Sequence, residues 1–366
     1  MNILFLTSSR ADFGIYEPLL QAMRSDHFFK ISICAFGTHL SKSHGYTAQY
    51  IRDKGYTIDY EIETVPESDS AFHISESIGQ TTKSFAEFWK NHLNDFDWVF
   101  CLGDRYEMFA AVIAAVPFRI KFAHLHGGET SLGAIDEIFR HSISLSSTLH
   151  FVATQNNKKR LSQILGSDSA IHWVGALALD RLQEFNFLTT NEFHQKFNFD
   201  FSEKSILVTV HPETTDTTKN ELHIAQLIAA MELLRDYQFL ITLPNADTDG
   251  LKIRNALIMA SHQLNNIFLY ENLGQEGYFS AMKLCKMLLG NTSSGIIEAA
   301  SFQKYVINLG NRQLGRQAGE NVISCEFETK KIVDLVRIIE SKGDWLGGNI
   351  YVKNGAANSI IEILKK

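Results

Sequence analysis

"KFAHLHGGETSLGAIDEIFRH" occupies residues 121–141 and shows in miniature how the whole chain is built. An apolar run suited to a buried strand, KFAHLH (121–126), ends on a polar, glycine-split cluster, HGGE (126–129). Beyond it a helix is expected from about Ala134 to Ser146, with Ile135, Ile138, Phe139 and Ser142 turned toward the sheet. On that helix Asp136 and Arg140, and Glu137 and His141, stand four residues apart, the spacing of side-chain neighbours. Strand, polar turn and helix in that order make half of a βαβ unit.

The same unit recurs along the chain. Strand-like runs are NILFLT (2–7), KISICAF (30–36), TIDYEI (57–62), WVFCLG (98–103), KFAHLH (121–126), LHFVAT (149–154) and IHWVG (171–175). Helix-length stretches such as YEPLLQAM (16–23) and FAEFWKNHL (85–93) lie between them. Residues 176–203 break the rhythm. It resumes with SILVTVH (205–211), QFLITLP (238–244), NIFLYE (266–271), KMLLGN (286–291) and YVINLG (305–310). The expectation is an α/β chain of two Rossmann-like domains facing a central cleft. The first spans 1–176 and the second, nucleotide-binding one 204–350, with a connector at 177–203. A terminal helical segment, 351–366, is assigned to neither.

Composition narrows the function. The chain has 366 residues, 45% hydrophobic and 20% charged, enough apolar material for two cores. Its formal net charge is −7, which argues against a general grip on nucleic acid. The first residues, MNILFLTSSRADFG, lack a basic segment and a long apolar stretch, so no signal peptide is expected. No apolar run reaches the roughly 18 residues of a membrane span. Cys34, Cys101, Cys285 and Cys325 are scattered through apolar runs and read as reduced core residues. A cytoplasmic protein is expected.

Polar clusters fall where the strands end: SSRADFG, GDRYE and HLHGGE in the first half, HPETT, PNAD and GNTSSG in the second. Ligands of open parallel sheets bind at that edge. In GNTSSGIIEAA (290–300), Ser293, Ser294 and Gly295 stand where a strand becomes a helix, a place suited to a diphosphate; Glu298 is placed to take ribose hydroxyls. An ordinary serine cap fits the same letters. GNRQLGRQAGEN (310–321) adds Arg312 and Arg316 on a glycine-rich loop. Arg10 and Asp12 follow the first strand and His39 the second; a helix-capping role suits Asp12 equally, and a lone histidine placed like His39 is more often structural. Asp104, after a strand expected to be buried, is a candidate acid or base with a raised pKa, or a helix cap. A metal reading of His124, His126 and Glu129 is not adopted, because strand alternation offers no defined third ligand. His211 ends the first strand of the second half.

Taken in order, SSRADFG, GTHL, GDRYE, HLHGGETxxGAIDExxRH, HPETT, PNAD, GNTSSGIIE and NLGxRQxGR resemble the hydrolysing UDP-N-acetylglucosamine 2-epimerases of sialic-type acid synthesis. The resemblance runs from residue 7 to about 321. It implies a GT-B-like fold and a reaction that eliminates UDP to leave a 2-acetamidoglucal, then adds water to release the free 2-epimer. No cofactor and no metal are implied.

Ser293, Ser294, Gly295, Arg10 and Arg312 would grip the nucleotide and Glu298 the ribose, with Asp12 and His39 completing the binding set. Asp104, Glu129, Asp136 and His211 would handle protons, and Arg140 would fix a carboxylate. Many relatives read histidine–apolar–glutamate where this chain has His124-Leu125-His126. His126 therefore joins the catalytic candidates beside Glu129, and the group that removes the C2 proton is left open.

The expected partners are a UDP-sugar and further copies of the chain, as a dimer or tetramer. UDP-N,N'-diacetylbacillosamine, of legionaminic acid synthesis, and a GDP-sugar are alternative substrates. A GT-B glycosyltransferase, which would need an acceptor, and a non-catalytic sensor are the competing classes.

Overall fold

The computed structural model describes residues 1–366 except 42–44, 65–67, 69, 181 and 245–248. Residues 245–247 of PNAD and 42–44 after GTHL therefore lie outside the described residues. Two compact units are present. The first comprises Met1–Glu129, Asp136–Gln183 and Tyr351–Lys366; the second comprises Thr130–Ile135 and Glu184–Ile350.

The first unit is built on β1 (Asn2–Thr7), β2 (Lys30–Phe36), β3 (Tyr60–Ile62), β4 (Trp98–Leu102), β5 (Phe122–Leu125), β6 (Leu149–Val152) and β7 (Ile171–Trp173). Their order is β3-β2-β1-β4-β5-β6-β7, and every pair is parallel. Helices cover both faces of such a sheet, so its strands are apolar on both sides. Along β1, Ile3 and Phe5 join one apolar cluster with Phe13, Tyr16 and Phe100, while Leu4 and Leu6 join the other with Phe85, Trp89 and Phe122. That is the two-residue period of a strand with two buried faces.

The terminal helix Ala356–Leu364 sends Ile360 and Leu364 into the first cluster. Its first turn is fastened by the Asp180 carboxylate, which accepts the amides of Gly355 (3.1 Å) and Ala357 (2.7 Å). The terminal segment thus belongs to the first unit.

The second unit carries β8 (Ser205–Thr209), β9 (Gln238–Thr242), β10 (Ile267–Tyr270), β11 (Met287–Gly290), β12 (Val306–Leu309) and β13 (Val322–Cys325). Their order is β10-β9-β8-β11-β12-β13, again all parallel. β13 was not among the expected strands. It is an edge strand, half-buried, and so lacks the apolar run that marks the others. TIDYEI shortens to Tyr60–Ile62 for the same reason.

The stretch expected as connector holds short 3₁₀ turns, Leu177–Leu179 and Leu182–Glu184, and a helix, Thr190–Phe197. Thr189 and Glu192 form a capping box there, a T-x-x-E signal present in the letters.

Sheet order reverses between β1 and β4 in the first unit and between β8 and β11 in the second. The carboxyl ends at these points are where open α/β sheets bind ligands. All four cysteines are free thiols, three of them buried. Among the described residues no helix is long and apolar enough to cross a membrane.

Candidate active site

At the end of β1, Ser9 caps the helix Arg10–Arg24. The Asp12 carboxylate turns back to accept the amides of Ser8 (3.0 Å) and Ser9 (3.1 Å) and the Ser8 hydroxyl (2.7 Å). Asp12 therefore shapes the loop. Arg10 stacks 4.3 Å over the Tyr50 ring, and burial lowers its pKa. His39 is fully buried between the hydroxyls of Thr7 and Thr47, 2.9 Å from each, and burial pushes it down to about 4. It is a neutral strut.

At the end of β4, Asp104 does not cap the next helix; Arg105 occupies that position. The Asp104 side chain is 26% exposed and pairs with the Arg140 guanidinium. The capping alternative is thereby corrected, and Asp104 stands instead as the partner of a buried cation.

Arg140 itself is 1% exposed. It also binds Glu137 (2.9 Å) and donates to the main-chain carbonyl of Glu129 (3.1 Å). These acceptors draw Arg140 inward, and the helix, Asp136–Leu145, buries Arg140, Ile143 and Ser144. The expected inward face is corrected accordingly: Ile138 is 68% exposed. Asp136 opens the helix. Glu137 is the acid its neighbours share, holding Arg160 (2.6 Å) and His141 (3.2 Å) besides Arg140. Glu137 entered the sequence reading only as a partner of His141. Arg160, on the helix Gln155–Leu165, carried no local signal.

At the end of β5 the two histidines part company. His124 Nε2 lies 2.9 Å from the Gly103 carbonyl, so that nitrogen carries the proton and Nδ1 accepts from the Ser144 hydroxyl at 3.0 Å. Burial pushes His124 down to about 3. With both nitrogens engaged, it holds the backbone just before Asp104. His126 lies beyond the strand and has φ +65°, so alternation no longer governs its direction. Its Nδ1 meets Glu129 Oε1 at 2.6 Å. Gly128, at φ +76°, lets the turn approach the next helix: a Cβ there would stand 2.4 Å from the Asn157 carbonyl.

In the second unit, Asn291 follows β11 and brackets His211 after β8. Its Oδ1 accepts the His211 amide (2.7 Å) and its Nδ2 donates to the His211 carbonyl (2.8 Å). The Asn291 carbonyl accepts Gln313 Nε2 (2.9 Å) and Arg312 Nη1 (3.5 Å). Glu213, also buried, accepts the Asn311 amide at 2.6 Å. Asn291 and Glu213 thus hold the loop that carries Arg312, and neither was singled out from the sequence.

Thr292, not a serine, caps the short helix Ser293–Ile297, and its hydroxyl takes the Ser294 amide at 3.4 Å, so that amide is not unpaired as expected. The Ser294 hydroxyl donates to Tyr278 (2.7 Å), whose own pKa burial raises to about 12. Gly295 is buried within that helix and Glu298 is its C-cap.

Asp104, Arg140, Glu129 and His126 are therefore joined by direct bonds in the first unit, as are His211, Asn291 and Arg312 in the second. Among the described residues no three histidines, cysteines or carboxylates are grouped to hold a metal ion.

The profile of the UDP-N-acetylglucosamine 2-epimerase family matches residues 21–365. A Legionella pneumophila relative named UDP-N,N'-diacetylbacillosamine 2-epimerase (hydrolyzing) is 32% identical over 364 residues, 100% of this chain and 95% of that protein. A Campylobacter jejuni relative, named GDP/UDP-N,N'-diacetylbacillosamine 2-epimerase (hydrolyzing), is 32% identical across 89% of this chain and 84% of its own. The Neisseria meningitidis UDP-GlcNAc 2-epimerase, solved bound to UDP-GlcNAc, superposes with a TM-score of 0.83 over 100% of both chains at 19% identity, a likeness of GT-B-like fold. The chain belongs to the UDP-N-acetylglucosamine 2-epimerase family.

Proposed function

We propose that the chain is a hydrolysing nucleotide-sugar 2-epimerase that converts a UDP-linked 2-acetamido sugar and water into UDP and the free 2-epimer. The observation that carries this reading is the bonded set Asp104–Arg140–Glu129 with His126 at the carboxyl ends of β4 and β5. It supplies protic groups and a buried cation at the edge where ligands of such sheets bind.

A C2 proton of a sugar is far too weakly acidic for these groups alone, so departure of the diphosphate must drive its loss. Arg10, Arg312, Ser293, Ser294 and Gly295 hold the nucleotide end, Glu298 holds the ribose, and Asp12 and His39 shape the β1 and β2 ends. Asp104, Glu129, Asp136, His126 and His211 form the proton-handling set, with Arg140 steadying its carboxylates. The enzyme acts in the cytoplasm as a homo-oligomer.

UDP-GlcNAc is the first substrate in this reading. The names of the Legionella and Campylobacter relatives favour a second, UDP-N,N'-diacetylbacillosamine. NMR in deuterated water with each sugar nucleotide tests both. UDP should appear in step with a free sugar carrying deuterium at C2, and product retaining protium at C2 would rule out the elimination route.

A further inference from the structure

We infer that Nε2 of His126 is the base that takes the C2 proton of the sugar, and that Glu129 is the positioning residue that holds its ring. The inference rests on the epimerase reading above and assigns a step that reading leaves open.

Nδ1 of His126 is 2.6 Å from Glu129 Oε1, and both side chains are nearly buried, at 10% and 4% exposure. A carboxylate can only accept, so Nδ1 carries the proton and the lone pair of the neutral ring lies on Nε2. Among the described residues Nε2 has no hydrogen-bond partner. A carboxylate behind an imidazole fixes its tautomer and stabilises the imidazolium that forms when Nε2 takes a proton.

The backbone is committed to this arrangement. His126 is a non-glycine residue in the left-handed region, held there by its amide on the Phe151 carbonyl (3.1 Å) and by the Gly127–Gly128 turn. Such a conformation is strained for a residue with a side chain and persists where the surroundings over-determine it. It directs the ring to Glu129, three residues on, instead of leaving it on the strand's alternation.

The other groups nearby are worse bases. Asp104 and Glu137 are bound to the guanidinium of Arg140, and Glu137 to that of Arg160 as well, which stabilises their ionised forms. His124 has both ring nitrogens in hydrogen bonds.

In the step itself, the Nε2 lone pair takes the C2 proton. The electrons of that C–H bond form the C1–C2 double bond, and the C1–O bond breaks with its pair leaving on UDP. In the hydration, hydroxide from water adds to C1 and a proton adds to C2 on the opposite face. Inversion requires that a second group deliver that proton; it regains one from the attacking water. His126 then returns its own proton to solvent.

His126→Asn tests the assignment without threatening the turn, because asparagine tolerates the left-handed region but is no base. With the full chain and the sugar nucleotide that supports turnover, H126N should lower kcat by roughly 10²–10⁴-fold while UDP affinity stays within about twofold. E129Q should lower kcat at least about tenfold with KM nearly unchanged, and NMR of isotope-labelled histidine should show the Nδ1-protonated tautomer of His126 lost. A folded H126N with kcat within about threefold of the parent overturns the inference while the epimerase reading stands. A parent enzyme that yields neither UDP nor C2-deuterated sugar from any UDP-linked 2-acetamido sugar fails the epimerase reading, and this inference with it.

Discussion

Asn291 grips both sides of the His211 peptide environment, accepting its amide at 2.7 Å and donating to its carbonyl at 2.8 Å across the point where the second sheet reverses order. Asn291 is fully buried, so no water can replace these bonds without rearrangement. The same residue offers its carbonyl to Gln313 and Arg312. One side chain therefore sets both a proton-handling candidate and the loop that carries Arg312, a candidate for holding the nucleotide.

Asn291→Ala should be costly, because two buried main-chain groups of His211 lose their partners. A loss of about 2–6 kcal/mol is expected in urea denaturation, from about 1–3 kcal/mol for each of the two unsatisfied groups. Activity should fall as well. A variant with unchanged stability and turnover would show that the bracket does not hold His211.

Gly133 presses on the Arg312 loop: a Cβ at that position would stand 2.2 Å from the Asn311 carbonyl and 2.7 Å from the Arg312 Cα. Backbone cannot yield as a side chain does. Gly133→Ala should displace the 311–312 segment and weaken UDP binding by more than about tenfold, or about 1.4 kcal/mol, read by calorimetry. Unaltered affinity would place the nucleotide away from this loop.

Ser294→Ala and Glu298→Ala should each weaken binding of UDP itself. Tyr278→Phe removes the acceptor of the Ser294 hydroxyl and should cost about 1 kcal/mol of UDP affinity, the net value of one such bond. If calorimetry finds all three variants binding UDP as the parent does, the β11 end is not the nucleotide site.

Asp104→Asn preserves shape but removes the charge facing Arg140, and His211→Ala removes a ring from the other unit. Each should lower kcat by roughly 10²–10⁴-fold with UDP affinity little changed. Folded variants of both with near-normal turnover would remove them from the proton-handling set.

Acid should destabilise the first unit before carboxylates titrate. Burial pushes His39 and His150 down to about 4 and His124 to about 3, against 6.5 for an ordinary histidine. Between those values the unfolded chain binds protons that the folded chain refuses. Stability is thus intact above about pH 6.5 and falls as pH drops toward 4, by up to about 1.4 kcal/mol per pH unit for each histidine. Urea denaturation at pH 7.5, 6 and 5 reads this directly, and His150→Gln should flatten the slope. Equal stability at all three pH values would mean that these rings protonate without unfolding.

Much of the fold was legible in the letters because its signals are local. An apolar run of four to seven residues, a polar cluster and a helical period lie within some twenty positions, as in residues 121–141, and repetition of that unit dictates parallel sheets. β13 and the helix Thr190–Phe197 escaped, one half-exposed at an edge, the other marked by little beyond its capping box.

The sequence by itself thus determined the α/β architecture and placed polar clusters at strand ends. Only the tertiary structure decided which of their groups meet. Arg140 turns inward to Asp104, 36 residues away; Glu137 binds Arg160, 23 away; Asn291 reaches His211, 80 away. Spacing on one helix suggested Ile138 for the core and named no partner for Arg140 beyond that helix. Yet a guanidinium goes where acceptors from several elements converge, and that convergence depends on strand order and on a left-handed turn at His126. Neither is written in the periodicity of any single segment.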